Sequence, residues 1–87
     1  MTKEELLTAA LKVAERTHYK YMTRDAIGEE AGCPGSLVTY HLGIMSKLRR
    51  SVVGEAIRVK NWKVLGQALA DGNPRVIGLK EEIKARL

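Results

Sequence analysis

Eighty-seven residues and 9.7 kDa suffice for one modest hydrophobic core and leave no room for a second domain or an enclosed substrate cavity beside it. Apolar residues are 45% of the chain and charged residues 29%, with one Trp, three Tyr and no Phe, so the core falls to Leu, Ile, Val and Ala, which suits helices. No apolar run approaches the ~18 residues that cross a bilayer, Met1-Thr2-Lys3-Glu4-Glu5 lacks the layout of a secretory leader, and Cys33, His18 and His41 form neither a disulfide nor a four-ligand zinc set. The expectation is a cytoplasmic protein without cofactor, metal or membrane.

Thr2 and Glu5 have the spacing of a capping box. Leu6, Leu7, Ala10, Leu11, Val13 and Ala14 follow with helical periodicity, which predicts a first helix over Lys3–Arg16. Thr17–Met22 lacks that pattern and reads as a connection whose Tyr19 and Met22 close the core. Thr23 is a good amino cap, and Asp25 complements the dipole of a second helix ending near Ala31. Gly32 tolerates positive φ, and Pro34 prevents Cys33 from continuing the helix while suiting a first helical position itself. Leu37, Val38, His41 and Leu42 then make a short third helix that Gly43 ends.

From Ser46, apolar residues recur every three or four positions: Leu48, Val52, Ala56, Val59, Trp62, Leu65 and Leu69. Nothing breaks the pattern before Asp71-Gly72-Asn73-Pro74, so the expectation is one long fourth helix to about Ala70, spanning roughly 37 Å. Asn73 as cap and Pro74 at the first position would start a short last helix with Val76, Ile77, Leu79, Ile83 and Leu87. The predicted architecture is all-α: a three-helix helix-turn-helix core, a long fourth helix and a short C-terminal helix. Its division is 1–57 for the core and 58–87 for a dimerisation extension continuous with the fourth helix.

Charge follows that division. Residues 1–45 hold five Lys/Arg against six Asp/Glu, whereas residues 46–87 hold ten against four. A positive field in the second half suits an anionic partner. Lys47 and Arg50, at the start of the fourth helix, are the cations expected to meet such a partner, with DNA as one candidate. Arg58, Lys60 and Lys63 stay open between that role and solvation.

A helix-turn-helix needs a small residue at the helix crossing, a glycine in the turn and apolar residues locking the second helix onto the first. Gly28, Gly32 and Val38 supply them. An ordinary helical hairpin also favours small residues, but Gly28 inside a helix costs ~1 kcal/mol relative to alanine, which a close crossing would repay. Placing Val38, His41 and Leu42 inward leaves Gly35, Ser36, Leu37, Thr39 and Tyr40 facing outward, toward DNA or solvent. Ser36 and Thr39 suit base edges or phosphate, Tyr40 phosphate or a thymine methyl, Leu37 a thymine methyl, and Gly35 a close backbone approach. Arg24 opposes the dipole at its helix start, which points to a phosphate or a base edge, with solvation as the alternative, and Thr23 would combine capping with a phosphate bond. His41 and Cys33 are expected as core residues.

The stretch Thr23-Arg24-Asp25-Ala26-Ile27-Gly28-Glu29-Glu30-Ala31-Gly32-Cys33-Pro34-Gly35-Ser36-Leu37-Val38-Thr39-Tyr40-His41-Leu42-Gly43, within Leu6–Ile57, resembles the amino-terminal DNA-binding domain of TetR-type repressors. The resemblance implies a third helix in the major groove, phosphates held by the second helix and the start of the fourth, and a dimer. Where the family often carries a phosphate-binding Lys stands Met45, with Ile44 at the cap, so Lys47 or Arg49 would substitute; the family's frequent aromatic in mid recognition helix falls on Thr39. Residues 58–87 are too few for the family's effector domain, and no small-molecule effector is expected.

The resulting expectation is a transcriptional regulator, a repressor by its resemblance, acting as a homodimer on a palindromic or pseudo-palindromic duplex operator. Its size would suit a phage or mobile element. Val59, Trp62, Leu65, Leu69, Val76, Ile77, Leu79 and Ile83 would form the dimer interface. The alternative is a small protein-interaction module such as an antitoxin or an inhibitor of host machinery. No constellation of catalytic groups suggests an enzyme.

Overall fold

Thr2 opens the first helix through the capping box that its spacing predicts. Its Oγ1 accepts the Glu5 N–H at 3.1 Å, and Glu5 Oε1 accepts the Thr2 N–H at 3.0 Å; these bonds hold the Glu5 carboxyl below its ordinary range. The computed structural model describes residues 1–87 and contains helices α1 (Lys3–Arg16), α2 (Arg24–Ala31), α3 (Gly35–Leu42), α4 (Met45–Val59), α5 (Trp62–Ala70) and α6 (Lys80–Arg86), with a 3-10 turn at Ile77–Leu79. No helix is long and apolar enough to cross a membrane.

α1 is the central element and packs against α2, α3, α4 and α5. Seven of its residues are buried, Leu6, Leu7, Ala9, Ala10, Leu11, Val13 and Ala14, a wider apolar face than a surface helix needs and therefore one that several neighbours can cover. Tyr19 and Met22 close the core from the α1–α2 connection. Gly32 ends α2 in the left-handed conformation, φ 76°. The Cys33 N–H returns to the Gly28 carbonyl at 2.8 Å and the Gly32 N–H to the Glu29 carbonyl at 3.3 Å, a Schellman closure. Pro34 is extended and acts as the amino cap of α3, one residue before the helical position expected for it.

The long fourth helix does not exist as one rod. α4 stops at Val59 and Lys60 turns left-handed, φ 56° and ψ 49°. The Asn61 N–H bonds the Ala56 carbonyl at 2.9 Å and the Lys60 N–H the Ile57 carbonyl at 3.4 Å, the same closure as at Gly32 with a lysine in the glycine's place. Asn61 then caps α5, its Oδ1 accepting the Val64 N–H at 3.1 Å while its Nδ2 donates to Glu15 at 2.6 Å. Cost and return are both visible. A non-glycine residue in this conformation costs about 1–2 kcal/mol, and the bend folds α5 onto α1, where Gln67 donates to the Ala14 carbonyl at 2.8 Å and accepts the Tyr19 N–H at 3.0 Å.

The bend also corrects the expected interface. Leu65, Val76 and Ile83 are fully buried within the single chain, and Trp62, Leu69 and Leu79 are half-buried against the same core. Of the eight positions assigned to dimerisation, only Val59 and Ile77 are exposed. The stripe continues in register through Lys60, but the bend turns its second half inward. Residues 58–87 are accordingly part of one core that runs from Leu6 to Ile83, not an extension of α4. Asn73 and Pro74 open a turn in which Asn73 Oδ1 accepts the Arg75 N–H at 3.0 Å, and the last α-helix starts later than expected, at Lys80. α6 packs on α5, with the Arg86 guanidinium 5.2 Å from the centre of the Trp62 ring.

Candidate functional site

The crossing of α2 and α3 is set by Gly28. A β-carbon there would lie 2.5 Å from the Cys33 carbonyl oxygen and 3.3 Å from the Gly35 nitrogen, so backbone meets backbone and only glycine fits. Gly35 is constrained from the other side, since a β-carbon on it would lie 2.3 Å from Asp25 Oδ1 and 3.4 Å from Arg24 Cγ. Both neighbours are side chains, so the small size of Gly35 lets α2 pack closely here.

This crossing orients α3. Val38 and Leu42 are buried, Ser36 and Tyr40 are exposed, and Gly35 and Thr39 lie between. Leu37, expected outward, is half-buried. His41, expected in the core, is also only half-buried, with its ring edge-on to Tyr40 at 5.0 Å and 89°. Cys33 is a half-buried free thiol against the core. Arg24 Nη1 donates to Thr39 Oγ1 at 3.3 Å, so the arginine that opposes its own helix dipole reaches across to α3. Thr23 caps α2, accepting the Ala26 N–H at 3.1 Å.

A groove of about 520 Å³ runs between the start of α2 and the α3–α4 junction. Thr23, Arg24 and Thr39 line it together with Lys20, Tyr21, Ile44, Met45 and Arg49, and the Arg49 Nε is buried there without a hydrogen-bond partner. Tyr21, Tyr40 and Ile44 are the large apolar side chains left most open in this part of the chain, at 74%, 81% and 71% exposure. Lys20 is not a free cation: its Nζ bonds Asp71 at 2.6 Å, and Asp71 also accepts the Tyr19 hydroxyl at 2.7 Å. The hydrogen bonds from Lys20 and then Tyr19 hold the Asp71 carboxyl below its ordinary range, and Asp71 in turn raises the Lys20 ammonium. Burial, then the bond to Asp71, pushes the Tyr19 phenol up.

A second groove, of about 640 Å³, is lined by Ser46, Lys47, Arg50, Ser51, Gly54 and Arg75. Lys47 and Arg50 share it, and neither makes an ion pair. The fold thus brings Thr23, Arg24 and Thr39 to one groove and Lys47 and Arg50 to another, with Ser36 and Tyr40 exposed on α3. Tyr21, Ile44 and Arg75 were missed by sequence reasoning. Tyr21 and Ile44 stand in connections where periodicity says nothing, and Arg75 meets α4 only through a contact 25 residues distant. No protein-family model, curated protein or solved structure matches the chain.

Proposed function

We propose that the chain is a duplex-DNA-binding transcriptional regulator in which α2 and α3 act as a helix-turn-helix of the TetR-type kind. The observation that carries this reading is the glycine-only crossing at Gly28, which fixes α3 with Ser36 and Tyr40 outward and has unpaired Lys47 and Arg50 at the start of the next helix. A recognition helix in the major groove needs such a rigid support, and phosphates beside it need free cations. α3 contains no Arg, Asn or Gln for bidentate base readout, so specificity requires two half-sites. In this reading two copies pair through apolar side chains left open after folding, Val59 and Ile77 among them, and set two α3 helices about 34 Å apart or a multiple of it.

The test is the affinity of the full chain for a labelled random duplex across a salt series, followed by genome-wide recovery of bound DNA. The logarithm of the binding constant should fall linearly with the logarithm of salt by about 0.9 per phosphate contacted, and the recovered sites should share a two-fold sequence. Absence of salt-dependent binding overturns the proposal.

A second reading, a protein-interaction module, draws on the exposure of Tyr21, Tyr40 and Ile44, since aromatic residues are enriched at protein interfaces. It needs no salt-dependent duplex affinity, so the same experiment separates the two.

A further inference from the structure

No hydrophobic residue lines the groove between α4 and the turn at Asn73–Val76. Ser46, Lys47, Arg50, Ser51 and Gly54 fall on one face of α4, and Arg75 closes the far wall from the turn before the 3-10 segment. Three of its six lining residues are cations and none is acidic. Lys47, Arg50 and Arg75 make no ion pair anywhere in the chain, so like charges converge with nothing in the fold to neutralise them, and an arrangement of that kind favours an anion.

Arg75 is already positioned for one. Its N–H is fixed by Asn73 Oδ1 at 3.0 Å, and its Nη1 donates to the Arg50 carbonyl at 2.6 Å. That bond spends one edge of the guanidinium on α4 and leaves other donors of the planar fork available. Gly54 makes room for it, because a β-carbon there would lie 3.0 Å from Arg75 Nη2. The guanidinium is thereby held over the α4 face, and less side-chain entropy remains to be lost when a ligand binds.

We propose that this groove is a phosphodiester site that extends the duplex-binding surface along α4 beyond its first turn, with Arg75 as the residue that completes it. The inference rests on the nucleic-acid reading and adds a contact from the segment after α5, to which that reading assigns no contact with DNA. The chemistry recognised is the phosphate oxyanion, which a duplex backbone or free inorganic phosphate could present; the geometry favours the backbone, since the groove is open along its length and adjoins the α3–α4 junction.

The experiment compares Arg75→Gln with Lys84→Gln, which removes the same charge from exposed α6, after circular dichroism and melting confirm that both fold. Random duplex is titrated over a salt series. Arg75→Gln should weaken binding about five- to tenfold at low salt and lower the salt slope by about one, while Lys84→Gln leaves the slope unchanged. Equal effects of the two variants, or a wild-type slope in Arg75→Gln, overturn the proposal.

Inorganic phosphate, followed by shifts of the Ser51 and Gly54 amides in nuclear magnetic resonance, provides the second arm. Amides that move with phosphate in the wild type and not in Arg75→Gln, together with the duplex effect, support the site. Amides that move while duplex binding is indifferent to Arg75 overturn the backbone assignment in favour of free phosphate. A wild type that binds no duplex defeats the parent reading, and the phosphate arm then decides the anion site by itself: a shift lost in Arg75→Gln upholds it, and no shift overturns it.

Discussion

Gly28 faces the carbonyl of Cys33 so closely that a β-carbon on it would stand 2.5 Å from the oxygen. Gly28→Ala should therefore destabilise the protein although alanine is the better helix former by ~1 kcal/mol. The neighbour is backbone inside a hydrogen-bonded turn and cannot swing aside, so a net loss of about 1–3 kcal/mol is expected. Thermal denaturation measures it, at about 4–8 °C per kcal/mol for a domain of this size. An unchanged melting temperature would mean that α2 and α3 are farther apart than described.

Lys60 predicts the opposite sign. Lys60→Gly relieves a left-handed residue at the end of α4 and should raise stability by about 0.5–1 kcal/mol, the steric cost removed less the added freedom of the unfolded chain. Denaturant unfolding with unchanged m-value checks it. A loss of stability would show that the lysine side chain contributes more than its backbone conformation costs.

The cluster of Tyr19, Lys20 and Asp71 gives stability two pH limits. Asp71 is depressed below its ordinary value of 3.8, so its contribution is present above that value and is lost as pH falls through the lower, folded one. Lys20 and Tyr19 are raised above 10.5 and 10.0, so theirs are present below those values and are lost as pH climbs through the folded ones. Asp71→Asn should lower the melting temperature most at neutral pH, flatten the acid limit and only soften the alkaline one, because burial still holds the Tyr19 phenol up. Glu5 and Glu55, depressed by Thr2 and by Arg58 respectively, leave a residual acid decline in that variant. A melting profile parallel to the wild type at every pH would contradict the assignment.

Tyr40 is 81% exposed and Thr39 bonds Arg24 at 3.3 Å. Thr39→Ala with Tyr40→Ala should leave the circular dichroism intact and change stability by no more than about 1 kcal/mol, while specific binding to a recovered operator is lost and salt-dependent binding to random duplex persists. Retained specificity would move base readout off this face of α3.

Local signals carried much of the fold. The caps at Thr2 and Thr23, the turn at Gly32 and the stop at Gly43 are each legible from a few adjacent residues, and each stands where its chemistry requires. The break at Lys60 was hidden because the apolar spacing runs through it without a change of phase and no glycine or proline marks it. Asn61 was the available signal, an amino-cap residue in mid-pattern. Its meaning depends on α1 lying alongside, where Glu15 accepts from Asn61 and the Ala14 carbonyl accepts from Gln67, and no local window contains those contacts. The same holds for the candidate site: Arg24 and Lys47 could be read from their helix positions, whereas Arg75 reaches the groove only because α5 folds back.

Gln67 joins residues far apart along the chain, bonding the Ala14 carbonyl across 53 positions and the Tyr19 amide across 48. The contacts among α1, α2 and α3 close much shorter loops, and loop-closure entropy grows with loop length. Assembly of the first three helices should accordingly precede docking of α5, which places Gln67 on the late side of the rate-limiting barrier. Gln67→Ala would then leave the refolding rate nearly unchanged and accelerate unfolding. The residue that fastens the back of the molecule sets how long the folded chain lasts, not how fast it forms.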